Sequence, residues 1–391
     1  MASWPEKTRL IGTRIPRLDG LAKASGKAKY PSDVLPDRLL HCVLLYSPHA
    51  HAKVSALDTS AAEKLPGVKG IETFIKPGGT LRFHGDLIAA VAAETEEQAR
   101  DAVRAIKVDY EVLPHVVTEE QAMATGAPTV ARGGNVRKGR AQTNGDPDAA
   151  IAKSDAVVEG TYSVPVITHV CLESHGLTVK WESDDKILCW SSTQFVGGTA
   201  GELAQSFEIP QSNVTVLTEV MGGGFGSKFS ADAWGVAAAR LSKKTGRPVK
   251  VFLDRAHEHL IAGNRPSATG KIKIGATKDG KITAMIADTH GTGGITRGAQ
   301  FPLPYVYRIP NLSRTHSDVF VNGGEARAMR APGHPQGCAI MEAAMDDLAD
   351  KLGMDPLEFR LKNLGDNDPV GGGVNRTKMY QEQVALGADL L

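Results

Sequence analysis

The sequence holds little cysteine: Cys42, Cys171, Cys189 and Cys338 are scattered, with no CxxC pair and no short spacing. That distribution argues against a zinc or iron–sulfur site within the chain and against a disulfide framework, and it fits a reducing compartment. Charge of one sign is also missing, because Lys+Arg 45 against Asp+Glu 44 leaves +1 over 391 residues. Nothing in that balance calls for nucleic acid or an anionic membrane surface; a small ligand or a protein partner is the better expectation. Long apolar runs are absent too. LIAAVAA at 87–93 is far too short to span a bilayer, and the opening MASWPEKTRL lacks the apolar stretch of a secretory signal. There is no internal repeat and no low-complexity tract. The sequence therefore predicts a soluble, cytoplasmic protein whose length suggests roughly two to three domains.

What is present divides along the chain. RLLHCVLLY (38–46) and LIAAVAA (87–93) read as strands, and Ser60 with Glu63 and Thr95 with Gln98 read as capping boxes that open helices. Residues 131–149, ARGGNVRKGRAQTNGDPDA, lack periodicity and are the best linker candidate. VVEGTYSV (157–164) and KILCWSST (186–193) are strand-like, and from 213 the order becomes strand, glycine loop, helix, strand. NVTVLTEV is the strand, ADAWGVAAARLSKK the helix, Gly246 and Pro248 its stop, and VKVFL (249–253) the next strand. AIMEAAMDDLADKLG is an amphipathic helix, and Asp355, Pro356 and Glu358 supply the N-cap, N1 and N3 of another.

The glycine loop is GGGFGSK, residues 222–228. Following a strand and opening a helix, it predicts an anion site made of free backbone N–H groups and the positive end of a helix dipole. Two familiar phosphate loops fail by one residue each. Ser227 separates Gly226 from Lys228 where a Walker loop needs Gly-Lys, and it fills the third place after Gly224 where a dinucleotide loop needs glycine. His49 with His51 and His257 with His259 lack further ligands at metal-site spacing, so no metal ligand is assigned. Glu173 and His175 in HVCLESHG are either an acid/base pair or packing residues. EARAMRAPGHPQG (325–337) carries Arg327 and Arg330 beside a rigid Pro332, Gly333, Pro335 turn; it is either a surface turn or an arginine fixed near an anion.

In family order, GKAKYPSDV, SPHAHAKV, GDLIAAVAAETEEQARDAV, HVCLESHG, STQ, MGGGFGSK, MRAPGHPQ and LADKLGMDPLEFRLKNL resemble the molybdenum-binding subunit of the xanthine dehydrogenase and aldehyde oxidase family. The resemblance covers almost the whole chain. It implies an α+β fold with residues 1–19 an N-terminal extension, 20–130 a small α/β hammerhead domain, 131–149 a linker and 150–391 a first molybdopterin-binding domain that ends before the second. It further implies a molybdenum–molybdopterin cofactor in its oxo, sulfido form, with iron–sulfur clusters and FAD on partner chains or domains. Gln194 matches the glutamine near the metal's oxo group, Gly224, Phe225 and Gly226 the loop beside the pterin and metal, and Arg330 an arginine that binds the cofactor. Gln194 and Phe225 are 31 residues apart (225 minus 194), the family interval.

Phe229 stands where purine-oxidising members carry a substrate-binding glutamate, and Met329 and Pro332 replace aromatics of that subgroup. Arg297 is near, but out of register with, that subgroup's second pocket arginine. An apolar pocket cannot anchor a purine's hydrogen-bonding edge, so the resemblance implies hydroxylation of an aldehyde or an N-heterocycle, with water as oxygen source. The family's general-base glutamate lies in a GxGE segment of a second molybdopterin-binding domain. No such segment occurs here, so no catalytic residue is assigned in this chain. With KMYQEQVALGADLL as its last stretch, the sequence looks like one half of a split subunit or a cut through a larger fold. The partners implied are the other molybdopterin-binding half, an iron–sulfur subunit and an FAD subunit. The alternatives are a non-catalytic fragment or assembly module without cofactor, and an unrelated nucleotide-binding protein, which the failed phosphate patterns disfavour.

Overall fold

The computed structural model describes residues 8–365, 373 and 379–390. A seven-stranded sheet runs in the order Val214–Leu217, Lys186–Ser191, Gly176–Ser183, Val249–Phe252, Leu40–Tyr46, Leu87–Ala93 and Val68–Thr73. Strand Leu87–Ala93 shows how the sequence builds it. Ala90 and Ala92 join a core with Trp234, Leu203 and Leu241, while Ile88 and Val91 join a second core with Val54 and Ile106. A strand covered on both faces has no polar side, which is why this stretch reads as a continuous apolar run.

The sheet crosses the expected division of the chain. Leu40–Tyr46 pairs in parallel with Val249–Phe252, with Leu40 opposite Val249. A period-two pattern announces a strand but not its partner, so this pairing between early and late segments has no local signal. The segment expected to be a linker carries strands Val136–Lys138 and Gln142–Asn144, both paired antiparallel with Asn311–Val319. Three-residue edge strands rich in Arg, Lys, Gln and Asn have no apolar alternation to betray them.

A second sheet contains Ala156–Val164, Ala268–Ala276, Ile282–Thr292 and Asn311–Val319. Helix His334–Leu352 packs Ile340, Met341, Met345 and Leu348 against its Ile272, Ile274 and Met285. The sequence starts this helix five residues later, at Ala339, because Pro335 reads as a turn; here it occupies the first turn of the helix, where its missing N–H costs nothing.

Other ends follow their caps. The Thr95–Gln98 box closes at both hydrogen bonds, 3.2 and 3.1 Å, and Asp355 accepts from the amides of Leu357 and Glu358 at 2.9 Å. Ser60 is instead the first helical residue after Thr59, its amide held by Asp58 Oδ1 at 2.9 Å, so its box with Glu63 does not form. Gly246 ends helix Asp232–Thr245 with φ +62. Helix Tyr380–Leu390 buries none of its residues. Among the described residues no helix is long and apolar enough to cross a membrane.

Burial makes one early cysteine inert. It pushes the Cys42 thiol up to about 12, so the nucleophilic thiolate is scarce at neutral pH. Native protein at pH 8 is expected to leave Cys42 unmodified by a maleimide and to react there only after denaturation, read by peptide mass mapping.

Candidate functional site

Strands Lys186–Ser191 and Val214–Leu217 are parallel neighbours, with Ile187 opposite Val214 and Trp190 opposite Leu217. The loops leaving their carboxyl ends therefore lie together, where open α/β sheets commonly place ligands. One loop carries Gln194 and the other GGGFGSK. Gln194 Oε1 accepts from the Gly226 amide at 2.7 Å, and the Gln194 amide donates to the Lys228 carbonyl at 2.7 Å. The Arg330 amide donates to the Phe225 carbonyl at 2.7 Å. Gln194, Gly224–Phe225–Gly226 and Arg330 thus meet, although they come from three separate segments.

The loop cannot have been built from ordinary residues. Gly223, Phe225 and Gly226 have φ of +101, +55 and +115. A Cβ on Gly226 would stand 2.6 Å from the Ala328 carbonyl oxygen, and one on Gly224 would stand 2.5 Å from Gln194 Oε1. The amides of Gly223, Gly224 and Phe225 have no acceptor among the described residues. Consecutive unpartnered N–H groups on a backbone that alternates through positive φ form an anion-binding concavity. The exposed Arg330 guanidinium makes no hydrogen bond or ion pair to another described residue, which leaves a second donor group available. A glycine-lined approach, unsatisfied N–H donors and an arginine unpaired among the described residues fit an anionic pterin cofactor.

The helix expected to supply its dipole does not. Helix Asp232–Thr245 begins four residues beyond Lys228, and Glu202 Oε2 accepts from the amides of Ala231 and Asp232 at 2.6 and 2.9 Å. That carboxylate already occupies the helix N-terminus, so the donors that remain are those of the loop itself.

Beneath the loop lies a buried polar scaffold. Glu173 Oε2 accepts from the Gly222 amide at 2.9 Å and from Ser192 Oγ at 2.7 Å, while Oε1 accepts from the Ser32 amide at 3.1 Å. Lys228, only 1% exposed, donates from Nζ to Ser192 Oγ and to the Glu173 carbonyl, both at 2.7 Å. Burial pulls this ammonium below the usual lysine range, against the raising influence of Cys171, Glu173 and Glu258. His175 Nδ1 contacts Glu258 Oε1 at 2.8 Å and its Nε2 contacts Ser227 Oγ at 2.8 Å. Glu173 and His175 are therefore structural supports with different partners, and they do not form an acid/base pair. Arg327 is a support as well: it binds Asp232 through both terminal nitrogens at 2.9 and 2.6 Å and donates to the Ser227 carbonyl at 3.0 Å. Asp232 itself has φ +61.

A cleft of about 560 Å³ opens beside this wall, lined by Gly226, Phe229, Met329 and Pro332 together with Arg297 and Glu325. All three residues expected to shape a substrate pocket face one space, and Gly226 joins that space to the loop. Phe229 is 46% exposed there. The cleft is not wholly apolar, since Arg297 lies 3.8 Å from Glu325. Sequence reasoning missed Arg265, which is buried, donates to the Arg330 carbonyl at 2.8 Å and fixes the 330–331 turn from below. A single arginine in GNRPSATG sits in no spacing that could have signalled it. Among the described residues no group of three or more His, Cys, Asp or Glu could hold a metal ion.

Comparison with known proteins identifies the family and the fold. Residues 130–364 match the molybdopterin cofactor-binding domain, and residues 25–76 and 77–114 match the aldehyde oxidase and xanthine dehydrogenase a/b hammerhead domain. The nicotinate dehydrogenase large molybdopterin subunit of Eubacterium barkeri is 31% identical over 97% of this chain and 94% of its own length. The xanthine dehydrogenase molybdenum-binding subunit of Escherichia coli O157:H7 is 31% identical over 91% of this chain, which spans only 52% of it. Among solved structures, aldehyde oxidoreductase from Desulfovibrio gigas superposes with TM-score 0.85 at 29% identity, over 97% of this chain and 46% of that one. Quinoline 2-oxidoreductase from Pseudomonas putida 86 gives 0.87 at 25% identity, over 98% and 54%. The chain thus spans about half the length of several of its relatives and nearly all of one.

Proposed function

The chain belongs to the xanthine dehydrogenase and aldehyde oxidase family of molybdenum-binding subunits, and from that premise we propose that it forms one wall of the cofactor site of a molybdenum hydroxylase acting on an aldehyde or N-heterocycle. The observation that carries this is the meeting of Gln194, the 224–226 backbone and Arg330, with the amides of Gly223, Gly224 and Phe225 left for a ligand. When bound, the cofactor supplies the oxidising centre for hydroxylation with oxygen from water. This chain's part is to bind and orient. The loop amides and Arg330 hold anionic groups, Gln194 stands against the Gly226 amide beside them, and Phe225, 45% exposed, shapes the adjoining space.

Phe229, Met329 and Pro332 present an apolar surface to the substrate and offer nothing to a purine's polar edge. The relatives are named for aldehyde, quinoline, nicotinate and also xanthine, so the preference rests on these three side chains. The general base and the opposite wall come from a second molybdopterin-binding half carried on a separate chain. The near-complete coverage of the nicotinate dehydrogenase large subunit supports that division. Iron–sulfur and FAD subunits would take up the electrons in the assembled enzyme.

Gln194→Ala tests the assignment. It removes one hydrogen bond, for about 1 kcal/mol of stability, but is expected to lower turnover of the assembled enzyme about 100-fold, the weight of a lost polar group at a reacting centre. Urea unfolding and steady-state kinetics on the same preparation separate the two effects; losses of equal free energy would sink the assignment.

A further inference from the structure

A chain of four groups runs under the loop: Glu258, His175, Ser227 and the Gly224 carbonyl. All of the side chains are buried. Ser227 Oγ lies 2.8 Å from the Gly224 carbonyl oxygen and 2.8 Å from His175 Nε2, and it has a single proton. The carbonyl can only accept. Were the proton given to His175, two oxygens would face each other at 2.8 Å with no hydrogen between them. With the proton on the carbonyl side, Nε2 must carry its own hydrogen and donate to Ser227. On the other side of the ring Nδ1 meets the Glu258 carboxylate at 2.8 Å, and the His175 amide donates to the same oxygen. Burial would raise the Glu258 carboxyl, but its hydrogen bond and charge interaction with His175 outweigh that and hold it below the usual carboxylate range.

We propose that His175 is a positioning residue, oriented at Nδ1 by Glu258, whose Nε2–H fixes the Ser227 hydroxyl on the Gly224 carbonyl. The carbonyl then takes two internal donors, Ser227 Oγ at 2.8 Å and the Ser227 amide at 3.0 Å. Turned inward in this way, the peptide between Gly224 and Phe225 keeps its N–H out of any internal bond, and that donor is one of the three left for the ligand. A ring bare at Nε2 would let Ser227 swing its proton to that nitrogen and free the carbonyl to rotate. Trp234 packs edge-on against the ring with centroids 6.1 Å apart, closing the remaining side without a competing acceptor.

The inference rests on the loop being the cofactor wall only for what the relay serves; the protonation of His175 is measured without any cofactor. The experiment is 15N-histidine NMR on the full chain at neutral pH, with His175 identified by Ser227→Ala or His175→Gln among the 12 histidines. Nε2 of His175 is expected to read as protonated, and Ser227→Ala to leave that nitrogen without its partner and shift its resonance. Amide hydrogen exchange is the second readout. Ser227→Ala should speed exchange of the hydrogen-bonded amides at 226 and 227 about tenfold, the weight of one internal hydrogen bond, and Ser227→Thr, which keeps the hydroxyl, should restore it. A bare Nε2 in the wild-type chain would overturn the proposal, and that result needs no variant to fold. Unchanged loop exchange in a folded Ser227→Ala would overturn it equally.

Discussion

Replacing Gly226 with alanine is expected to lower stability by about 2 to 4 kcal/mol and to remove molybdenum from the assembled enzyme. Two costs add at this position. At φ +115 any L side chain is strained, and the new Cβ would lie 2.6 Å from the Ala328 carbonyl oxygen, a backbone atom that cannot swing aside. His169 Nε2 lies 2.7 Å from that same oxygen. The carbonyl can only accept, so this bond is donated from Nε2 and opposes retreat of the Ala328 peptide, while burial pulls His169 below the usual histidine range. Relief can come only from moving the 222–228 loop, which would also break the Gly226 amide bond to Gln194. Urea unfolding of the isolated chain reads the first effect and metal analysis of the complex the second. An alanine variant as stable as the parent would show that the loop has room it is denied here.

Glu173→Gln is the second large effect, with an expected loss of about 3 kcal/mol. The carboxylate takes three donors, from Ser32, Ser192 and Gly222, and an amide cannot accept at both ends. One N–H must then face another N–H in a buried site. The change also removes a negative charge near Lys228, whose Nζ donates to Ser192 Oγ and to the Glu173 carbonyl. Because the two side chains share Ser192, Glu173→Gln and Lys228→Met are expected to be non-additive, the double variant losing less than the sum by more than about 1 kcal/mol. Simple additivity in urea unfolding would contradict the shared scaffold.

Much of the site was legible in the sequence because its residues have backbone duties that few amino acids can perform. The glycines at 223, 224 and 226 announced a bare loop, and the register of Gln194 with Phe225 tied it to a second segment. The scaffold below was not legible. Glu173, His175, Ser227, Lys228 and Glu258 are polar residues in polar-looking stretches, and nothing in their local pattern says that they are buried or that they meet across up to 85 residues, Glu173 to Glu258. Arg330 was singled out with Arg327 as one cluster, yet Arg327 is consumed by Asp232 and only Arg330 stays unpaired. Long-range pairing also explains the fold-level surprises. Strand Leu40–Tyr46 was recognisable from its own residues, but its neighbour Val249–Phe252 lies two hundred residues on. The dipole expected at helix Asp232–Thr245 was lost to Glu202 for the same reason.

We propose above all that this chain supplies one wall of a molybdenum site completed by a second chain. Its most direct test is the molybdenum content of the purified complex after co-expression with the neighbouring reading frame, measured by mass spectrometry of the metal. One molybdenum per complex in the parent, with none in Gly226→Ala, is the predicted result. A stable, fully assembled complex that contains no molybdenum would contradict it.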